Sequence, residues 1–434
     1  MAGSLPRIVT VAIPGPGSLA LAQRLSQVEC AEITYLSTDF PIFWSKASGA
    51  LVTDVDGNTF LDATSSFGVL GVGHCHPAVR RAIAAQSRTL IHGMGDVHPS
   101  DLKVELLESI KARVPIPDAR IILGQNGSDA VEAALKTACL ATGRSGVLAF
   151  EGGYHGLSYG ALDATSRGLF RDPFVGQRGN FTTHLPFGCD VERIWARLSD
   201  DRSIGAVIVE PIQGRGGIRI PPSGWLARLR EMCSRTGVLL ILDEIFTGWG
   251  RTGNWFACDY DDVSPDLLCV GKAMGGGMPI SACVGSRDLM ESAWGSHSSG
   301  ESRHTYTFLG HPLSCASAVA AIGVIERENL VERSRVLGLE LLRGLDQLRD
   351  AHPNIVAEAR GRGLMAGLAL IQPGQAATVM HAALKHGLIV LPAGDNGEVV
   401  EIVPPFIVTS NQLTWALEVL DLVLGELSAS IALK

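Results

Sequence analysis

The 434-residue sequence contains no apolar run of about eighteen residues, the length that a membrane-spanning helix requires. Its first apolar stretch, residues 8–13, ends at Pro14-Gly15-Pro16-Gly17 and is too short for the apolar core of a signal peptide. C-x-x-C pairs are missing too. The nine cysteines stand singly, which indicates buried thiols in a reducing compartment rather than a disulfide framework. We therefore expect a cytoplasmic protein that does not bind a membrane.

The sequence also lacks a surplus of basic residues. Its 36 Lys and Arg residues stand against 44 Asp and Glu residues, and the net charge of −8 argues against nucleic-acid binding, for which a basic face is expected. There is no internal repeat and no disordered linker. A chain of 434 residues exceeds a single core of the usual size, which predicts two or three domains. The hydrophobic fraction of 46% is typical of a well-packed globular enzyme.

Short β-like runs alternate with helical stretches through the middle of the chain, which predicts an α/β fold with a mostly parallel sheet wrapped by helices. These runs are residues 121–123, 147–150, 206–210, 238–243, 267–270 and 282–285. A long helix over 313–328 leads to a second unit with a helix near 337–348, strands near 364–370 and 388–391, and a closing helix. That helix begins at Thr409-Ser410, with Gln412 placed to complete a capping box. We predict an N-terminal arm with part of a small domain over 1–60, a large domain over 61–325 and a C-terminal small domain over 326–434.

Two apolar runs each end in a charged residue. Residues 238–242 are apolar without interruption, as in a strand buried on both faces, and they end in Asp243. The run 267–270 is followed by Gly271, Lys272 and a glycine-rich turn. Because ligands bind at the carboxyl ends of strands in open α/β sheets, the pair predicts a site with a buried cation and a reactive amine. Taken singly, an Asp after a strand is also an ordinary cap or turn residue, and a Lys before glycines is also a solvated loop charge.

Two glycine-containing turns add to this pattern. Gly127 and Ser128 open a helical stretch after a strand, where free N–H groups and a hydroxyl can hold a phosphate, although Ser is also a common N-cap. Tyr154 lies in a turn between glycines, where its ring can stack on a flat ligand or simply pack on the surface. A phosphate cradle, a stacking ring, a strand-end carboxylate and a lysine are what pyridoxal 5′-phosphate (PLP) requires.

The motifs that contain these residues resemble the class III aminotransferases, the ornithine- and 4-aminobutyrate-type enzymes of fold type I. The order and spacing of the similar segments match from about Ser48 to Val423. They include G-G-Y-H-G at 152–156, E-P-I-Q-G at 210–214, D-E-I-F-T-G-W-G-R-T-G at 243–253, Lys272 in its glycine-rich context, and T-F-L-G-H-P at 307–312. The resemblance implies a large domain with a mostly parallel seven-stranded sheet and a smaller α+β domain made from the two chain ends.

The resemblance also implies a role for individual residues. Lys272 would be the Schiff-base lysine and proton shuttle, and Asp243 would pair with the pyridine nitrogen. Ile245 would pack under the cofactor ring, Tyr154 would stack on its other face, and Gly127 and Ser128 would bind the phosphate. Thr307 resembles the threonine that family members donate to the neighbouring subunit's phosphate, so a homodimer is implied. His74 and His76 are not followed by a further ligand set at zinc spacing, so we interpret them as turn residues and predict no metal site.

The sequence departs from the family pattern at three positions. Phe246 stands where many relatives have a glutamine that contacts the ring hydroxyl. Arg215 stands where the amino-acid-using members usually have a glutamate, and Glu401 stands where they usually have an arginine that binds the α-carboxylate. Our hypothesis is that Arg215 and Glu401 meet across the substrate channel. A donor with a distal ammonium or hydroxyl group would suit Glu401, while Arg215 would hold the keto acid. In the alternative, each charge faces water and the two do not touch.

We therefore predict an enzyme that moves a primary, non-α (ω-type) amino group between an amine donor and a keto acid or aldehyde by a ping-pong cycle through Lys272. Phe67 matches a position at which relatives place an aromatic residue at the substrate entrance, and it is equally compatible with a core position. An aminomutase, racemase or decarboxylase of the same fold is the first alternative, since the fold does not determine which bond breaks. A catalytically silent binding protein is the second.

Overall fold

The structure is a computed structural model that describes residues 3–295 and 300–432. In these residues, the strands in chain order are Trp44–Ser48 (β1), Leu51–Asp54 (β2), Thr59–Asp62 (β3), Ala119–Gly124 (β4), Gly146–Phe150 (β5), Thr182–Leu185 (β6), Ile204–Val209 (β7), Leu239–Asp243 (β8), Leu267–Val270 (β9), Ser281–Ser286 (β10), Val356–Arg362 (β11), Met365–Leu370 (β12), Leu388–Ile389 (β13), Leu391–Ala393 (β14) and Val399–Ile402 (β15).

The α-helices of the same residues are Pro16–Leu25 (α1), Ser65–Gly68 (α2), Pro77–Gln86 (α3), Asp101–Lys111 (α4), Gly127–Thr142 (α5), Tyr159–Ala164 (α6), Gly168–Arg171 (α7), Val191–Asp200 (α8), Trp225–Thr236 (α9), Arg287–Trp294 (α10), Pro312–Arg327 (α11), Leu330–Ala351 (α12), Gln375–Lys385 (α13) and Ser410–Ala432 (α14). Short 3₁₀ helices cover Asp172–Phe174, Ala257–Asp261 and Lys272–Gly275. Within the described part of the chain, no helix is both long and apolar enough to cross a membrane.

The largest sheet has seven strands in the order β4-β10-β9-β8-β7-β5-β6. Strands β6, β5, β7, β8 and β9 are mutually parallel, while β10 runs antiparallel to both β9 and β4. The predicted mostly parallel, seven-stranded sheet is therefore confirmed. Strand β6 was not predicted, because it is a half-buried edge strand whose T-T-H-L sequence lacks an apolar run.

Both faces of this sheet are covered, which explains why its central strands have no polar alternation. Leu240 and Leu242 of β8 belong to the core on one face, whereas Ile241 between them packs on the other face. Helix α5 covers that second face and packs against β9 and β10 through small residues such as Ala130 and Ala134. The layering leaves only the strand ends free to present polar side chains.

Strands from the two ends of the chain meet in a second sheet of order β1-β2-β3-β13, in which β13 pairs with β3 in parallel. A third sheet has the order β11-β12-β15-β14, so the smaller α+β unit expected from both chain ends is present. The closing helix α14 has the predicted capping box. Gln412 N donates to Thr409 Oγ1 at 3.3 Å and Thr409 N donates to Gln412 Oε1 at 3.1 Å. The domain boundaries at residues 60 and 325 stay a prediction.

Candidate active site

Three adjacent parallel strands deliver charged side chains to one cavity. Asp243 is the last residue of β8, Glu210 follows β7 directly, and Lys272 follows β9 after Gly271. The cavity has a volume of about 910 Å³. Its polar lining consists of Gln125, Asn126, Ser128, Tyr154, His155, Glu210, Arg215, Asp243, Lys272 and Glu401. The predicted convergence of Asp243 and Lys272 at the carboxyl edge of the sheet is therefore found.

Asp243 is fixed by a buried histidine. Its Oδ2 lies 2.8 Å from His155 Nδ1, and its Oδ1 accepts the backbone N–H of Ile245 at 3.2 Å. Burial disfavours a charged imidazole, but the hydrogen bond to Asp243 and the negative charge of that carboxylate outweigh burial and raise the pKa of His155. Asp243 is only 4% exposed, and His155 gives this buried carboxylate the hydrogen-bond partner that burial requires.

Glu210 adds a second carboxylate beside this pair. Its two oxygens accept the backbone N–H groups of Tyr154 at 2.9 Å and Gly214 at 3.1 Å. Burial raises the pKa of Glu210 to about 7; the positive charge of His155 opposes this shift and Asp243 adds to it. Glu210 thus connects the turn that holds Tyr154 to the turn after β7. Its role was not predicted, although it follows an apolar strand just as Asp243 does.

Lys272 projects into the cavity from a left-handed backbone position, with a φ of +42°. Such a conformation is strained for a residue other than glycine and is held only where the surrounding structure imposes it. Burial lowers the pKa of Lys272 to about 8, although three carboxylates around it oppose the shift. Its Nζ lies 3.3 Å from the centroid of the Phe246 ring, so a phenyl face takes the place of a hydrogen-bonding group.

The N-terminus of helix α5 forms another wall. Asn126, not Ser128, is the N-cap: its side chain accepts the N–H of Asp129 at 3.2 Å, and the Asp129 carboxylate binds back to the N–H of Asn126. Ser128 therefore lies inside the first turn, where its Oγ accepts the N–H of Leu157 at 3.1 Å. A Cβ added at Gly127 would lie 3.1 Å from Ile245, so the glycine keeps this approach to the helix open.

Of four further predicted residues, three line the cavity and one does not. Tyr154 and Ile245 line the cavity, and the Tyr154 ring contacts Phe170 edge-on at a centroid distance of 5.8 Å. Phe67 also lines the cavity and is 59% exposed, which favours the entrance position over the core. Thr307 is exposed in a turn and is not part of the cavity wall of its own chain.

Arg215 and Glu401 line the same cavity, but the described residues contain no ion pair between them. Arg215 is exposed, and its guanidinium lies 6.0 Å from the centroid of the Phe170 ring. Glu401 is buried in the middle of β15 with 6% exposure. The charge of Arg215 still acts on Glu401, because it lowers the pKa of that carboxyl against the larger effect of burial. The predicted direct contact is thus absent, while the shared cavity is present.

Comparison with known proteins identifies the family. The sequence model of the class-III aminotransferases matches residues 34–424. The chain belongs to the class III aminotransferases. The acetylornithine aminotransferase of Methanosarcina acetivorans is 37% identical to it over 382 residues, which cover 88% of this chain and 91% of that protein. The protein of the same name from Methanopyrus kandleri is 37% identical over 378 residues, covering 87% and 93%.

Solved structures agree with this assignment. The ornithine aminotransferase of Toxoplasma gondii is 28% identical, has a TM-score of 0.85 and covers 94% of this chain and 95% of its own. A second structure of the Toxoplasma protein is described with PLP partly occupying its active site; it is 29% identical, has a TM-score of 0.84 and covers 93% of both chains. The chain is therefore a PLP-dependent transaminase of fold type I.

The residues of the cavity fit this cofactor. The N-terminus of the sixteen-residue helix α5 points at the cavity, and the positive end of a helix dipole favours the binding of a phosphate dianion. Asp243 is a buried carboxylate that a protonated ring nitrogen would neutralise, and Lys272 is an amine in the same cavity. The aminotransferase thus combines the three groups that the cofactor needs, each supplied by a different element.

Proposed function

We propose that Lys272 and Asp243 are the catalytic residues of this aminotransferase, acting on an ω-type primary amine and a keto acid. The observation that supports this most directly is their meeting at one edge of the sheet, beside the N-terminus of α5. When bound, PLP supplies an aldehyde that accepts an amino group and a pyridinium ring that stabilises negative charge on the neighbouring carbon. The reacting groups of the protein are then those that hold the ring and move protons beside it.

Lys272 is suited to binding the cofactor and to moving protons. An amine with a pKa of about 8 is neutral in about a tenth of molecules at pH 7, far more than an ordinary lysine, so its Nζ can act as a nucleophile and a base. Asp243, held by His155, would keep the ring nitrogen protonated. Tyr154 and Ile245 would enclose the ring from its two faces, and Gly127 and Ser128 would hold the phosphate at the start of α5.

We assign the substrates to the outer part of the cavity. Arg215 is exposed at its wall and offers a planar guanidinium, which suits the carboxylate of a keto acid. Phe67 would flank the entrance. The aminomutase, racemase or decarboxylase alternative has no support from the relatives described above, which are named aminotransferases.

A homodimer is the proposed working unit. Exposed apolar side chains lie next to Thr307 and in the segment that contacts its turn: Phe308 is 49% exposed, and Ile91, Met94 and Val97 are more than half exposed. The segments that contain them are joined by contacts such as Thr305 Oγ1 to Asp96 Oδ2 at 2.9 Å. An apolar surface of this kind is typical of an interface. The nine free cysteines, five of them buried, support the proposed cytoplasmic location.

Substitution of Lys272 tests the catalytic assignment. Lys272→Ala should abolish amine transfer, whereas Lys111→Ala, which removes an exposed lysine paired with Asp118, should leave it unchanged. Borohydride treatment of the wild-type holoenzyme, followed by peptide mapping, should place the cofactor label on Lys272. Activity retained by Lys272→Ala, or a label on another lysine, would contradict the assignment.

A further inference from the structure

The carboxylate of Glu401 lies in the wall of the cavity without a hydrogen-bond donor. It lies within strand β15, opposite Gly367 of β12 and Leu391 of β14, and both strand neighbours, Val400 and Ile402, are apolar and buried. Among the described residues, no side chain or backbone N–H donates to its oxygens. The carboxylate is open to the cavity, so its oxygens are available to a ligand that enters there.

The cations near Glu401 have other partners. Arg251 is fully buried and directs its guanidinium to the carbonyl oxygens of Leu364 and Pro404 and to Ser65 Oγ. Lys272, by the proposed function, is occupied by the cofactor. Arg215 is exposed and turned towards Phe170. None of the three is therefore held as a dedicated partner for Glu401.

The environment of Glu401 suits a cation on a hydrocarbon linker. Phe246 and Leu391 provide apolar walls in the same cavity, and burial raises the pKa of the Glu401 carboxyl to about 7. A neutral group would leave the ionised carboxylate without compensating charge, and a second carboxylate would be repelled by it. An ammonium supplies both the charge and up to three N–H donors.

We propose that Glu401 binds a second ammonium group of the amine donor, so that the preferred donors are alkyl diamines. This inference rests on the proposed function, because it requires the other amino group to reach the cofactor beside Lys272. Glu401 then determines specificity, and it selects against donors that end in a carboxylate.

Three amine donors with the same number of carbon atoms test the proposal. The efficiency of each donor in the half-reaction with the holoenzyme is measured from the change in cofactor absorbance. They are 1,5-diaminopentane, pentylamine and 5-aminopentanoate. The diamine should react most efficiently and the amino acid least efficiently. Glu401→Gln should lower the ratio of the efficiency with the diamine to that with pentylamine by about 30-fold or more, the usual loss when one partner of a buried charge pair is truncated. The ratio cancels any effect of the lost charge on Lys272, because that effect is common to both donors. Glu358→Gln, a change of an exposed carboxylate on β11, is the matched control.

A binding experiment separates the inference from the chemistry. N,N-dimethylpentylamine is a cation that cannot donate its amine to the cofactor, so calorimetry with the holoenzyme reports recognition alone. We expect this amine to bind the wild type more tightly than it binds either Glu401→Gln or Glu401→Leu. The wild type should also bind it more tightly than it binds pentanol, which has no charge. Equal binding in all three proteins, or a diamine preference that survives Glu401→Gln, would overturn the role of Glu401. Failure of every amine to change the cofactor absorbance, with calorimetric binding intact, would instead contradict the proposed function.

Discussion

Burial shifts the pKa values of three charged residues in the cavity. Glu210, Lys272 and Glu401 all have pKa values moved towards neutrality, each chiefly because burial disfavours its charged form. Such perturbed groups are concentrated at functional sites, since structure without a function gains little by burying them. Part of the stability of the protein should therefore depend on pH through these residues.

Replacement of Glu401 should reveal this dependence. The pKa of Glu401 rises from an ordinary 4.5 to about 7, so the folded state binds its proton more tightly than the unfolded state does. That contribution to stability is complete below pH 4.5 and is lost as the pH rises through 7. Glu401→Gln cannot ionise, and its stability relative to the wild type should increase between pH 5 and pH 8, by at most about 3 kcal/mol.

The measurement is the free energy of unfolding in urea of both proteins, freed of cofactor, at pH 5 and pH 8. Glu358→Gln, at an exposed position, should show no such change with pH. A difference between Glu401→Gln and wild type that is equal at the two pH values would show that Glu401 has an ordinary pKa in the folded protein.

The sequence predicted those site residues that directly follow an apolar, strand-like run. Asp243 and Lys272 each follow an uninterrupted apolar run, so the strand and its end were both visible in the sequence. Glu210 follows the same kind of run, but its link to the turn of Tyr154 was not predicted. The ring of Phe246 over Lys272 depends on the tertiary fold and has no local signal.

At the scale of elements, the N-terminus of α5 combines stability with binding. Asn126 caps the helix and lines the cavity, and its carbonyl accepts the hydroxyl of Ser281 at 2.6 Å. Asn126→Ala should lower the free energy of unfolding by about 1 kcal/mol, as is usual for a lost N-cap, and should also weaken PLP binding because the first turn frays where the phosphate is proposed to bind.

Ser286 provides the control for this change. It caps α10 by accepting the N–H of Leu289 at 3.3 Å, and it does not line the cavity. Ser286→Ala should cost a similar free energy of unfolding without changing the dissociation constant for PLP, measured by absorbance titration. Equal effects of both substitutions on PLP binding would indicate a general loss of stability rather than a role for the α5 cap.

Segment α2, directly after β3, is the second element with a specific requirement, because its backbone is left-handed and not that of a regular α-helix. Ser65, Ser66 and Phe67 have positive φ angles of 48°, 50° and 62°, and Gly68 follows with a φ of 79°. A Cβ at Gly68 would overlap the Phe246 ring. Sequence reasoning assigned Phe67 by resemblance alone, because the serines give no signal of a left-handed run.

Gly68→Ala should be more harmful than the same change at Gly143. Both glycines have positive φ, so each substitution costs about 1 kcal/mol for the backbone, but Gly143 has no atom within 4 Å of the added Cβ. Gly68→Ala should cost about 1–3 kcal/mol more, since it must displace the Phe246 ring. Urea unfolding measures both values. The double change Gly68→Ala and Phe246→Ala should show non-additive recovery, and strict additivity would exclude a contact between the two positions.

At the scale of the whole molecule, the exposed position of Thr307 raises the question of which cavity it serves. It does not line the cavity of its own chain; the exposed Phe308 follows it, and the exposed Met94 lies in the segment that contacts its turn. In a symmetric dimer this surface would face its own copy, so that Thr307 of one protomer could reach the phosphate of its partner's site. The proposed dimer therefore makes a prediction about activity as well as size.

Heterodimers co-expressed with two affinity tags test that prediction. In the first heterodimer, one protomer has Lys272→Ala and the other has Thr307→Glu. If Thr307 serves its partner's site, one active site then contains both substitutions and the other contains neither. Such a heterodimer should have about half of the wild-type activity, equal to that of a Lys272→Ala protomer paired with a wild-type one. The Thr307→Glu homodimer should be far less active, because the introduced carboxylate repels the phosphate.

The reciprocal arrangement decides between the two possible geometries. A protomer that has both Lys272→Ala and Thr307→Glu is paired with a wild-type protomer. If Thr307 serves its partner's site, the intact Lys272 then faces the introduced glutamate, and activity should fall to less than about a tenth of the wild type. If Thr307 serves its own chain, this second heterodimer should retain half of the activity and the first one should lose it. The two heterodimers thus give opposite results for the two geometries, and a chain that elutes as a monomer in size-exclusion chromatography would contradict the proposed dimer.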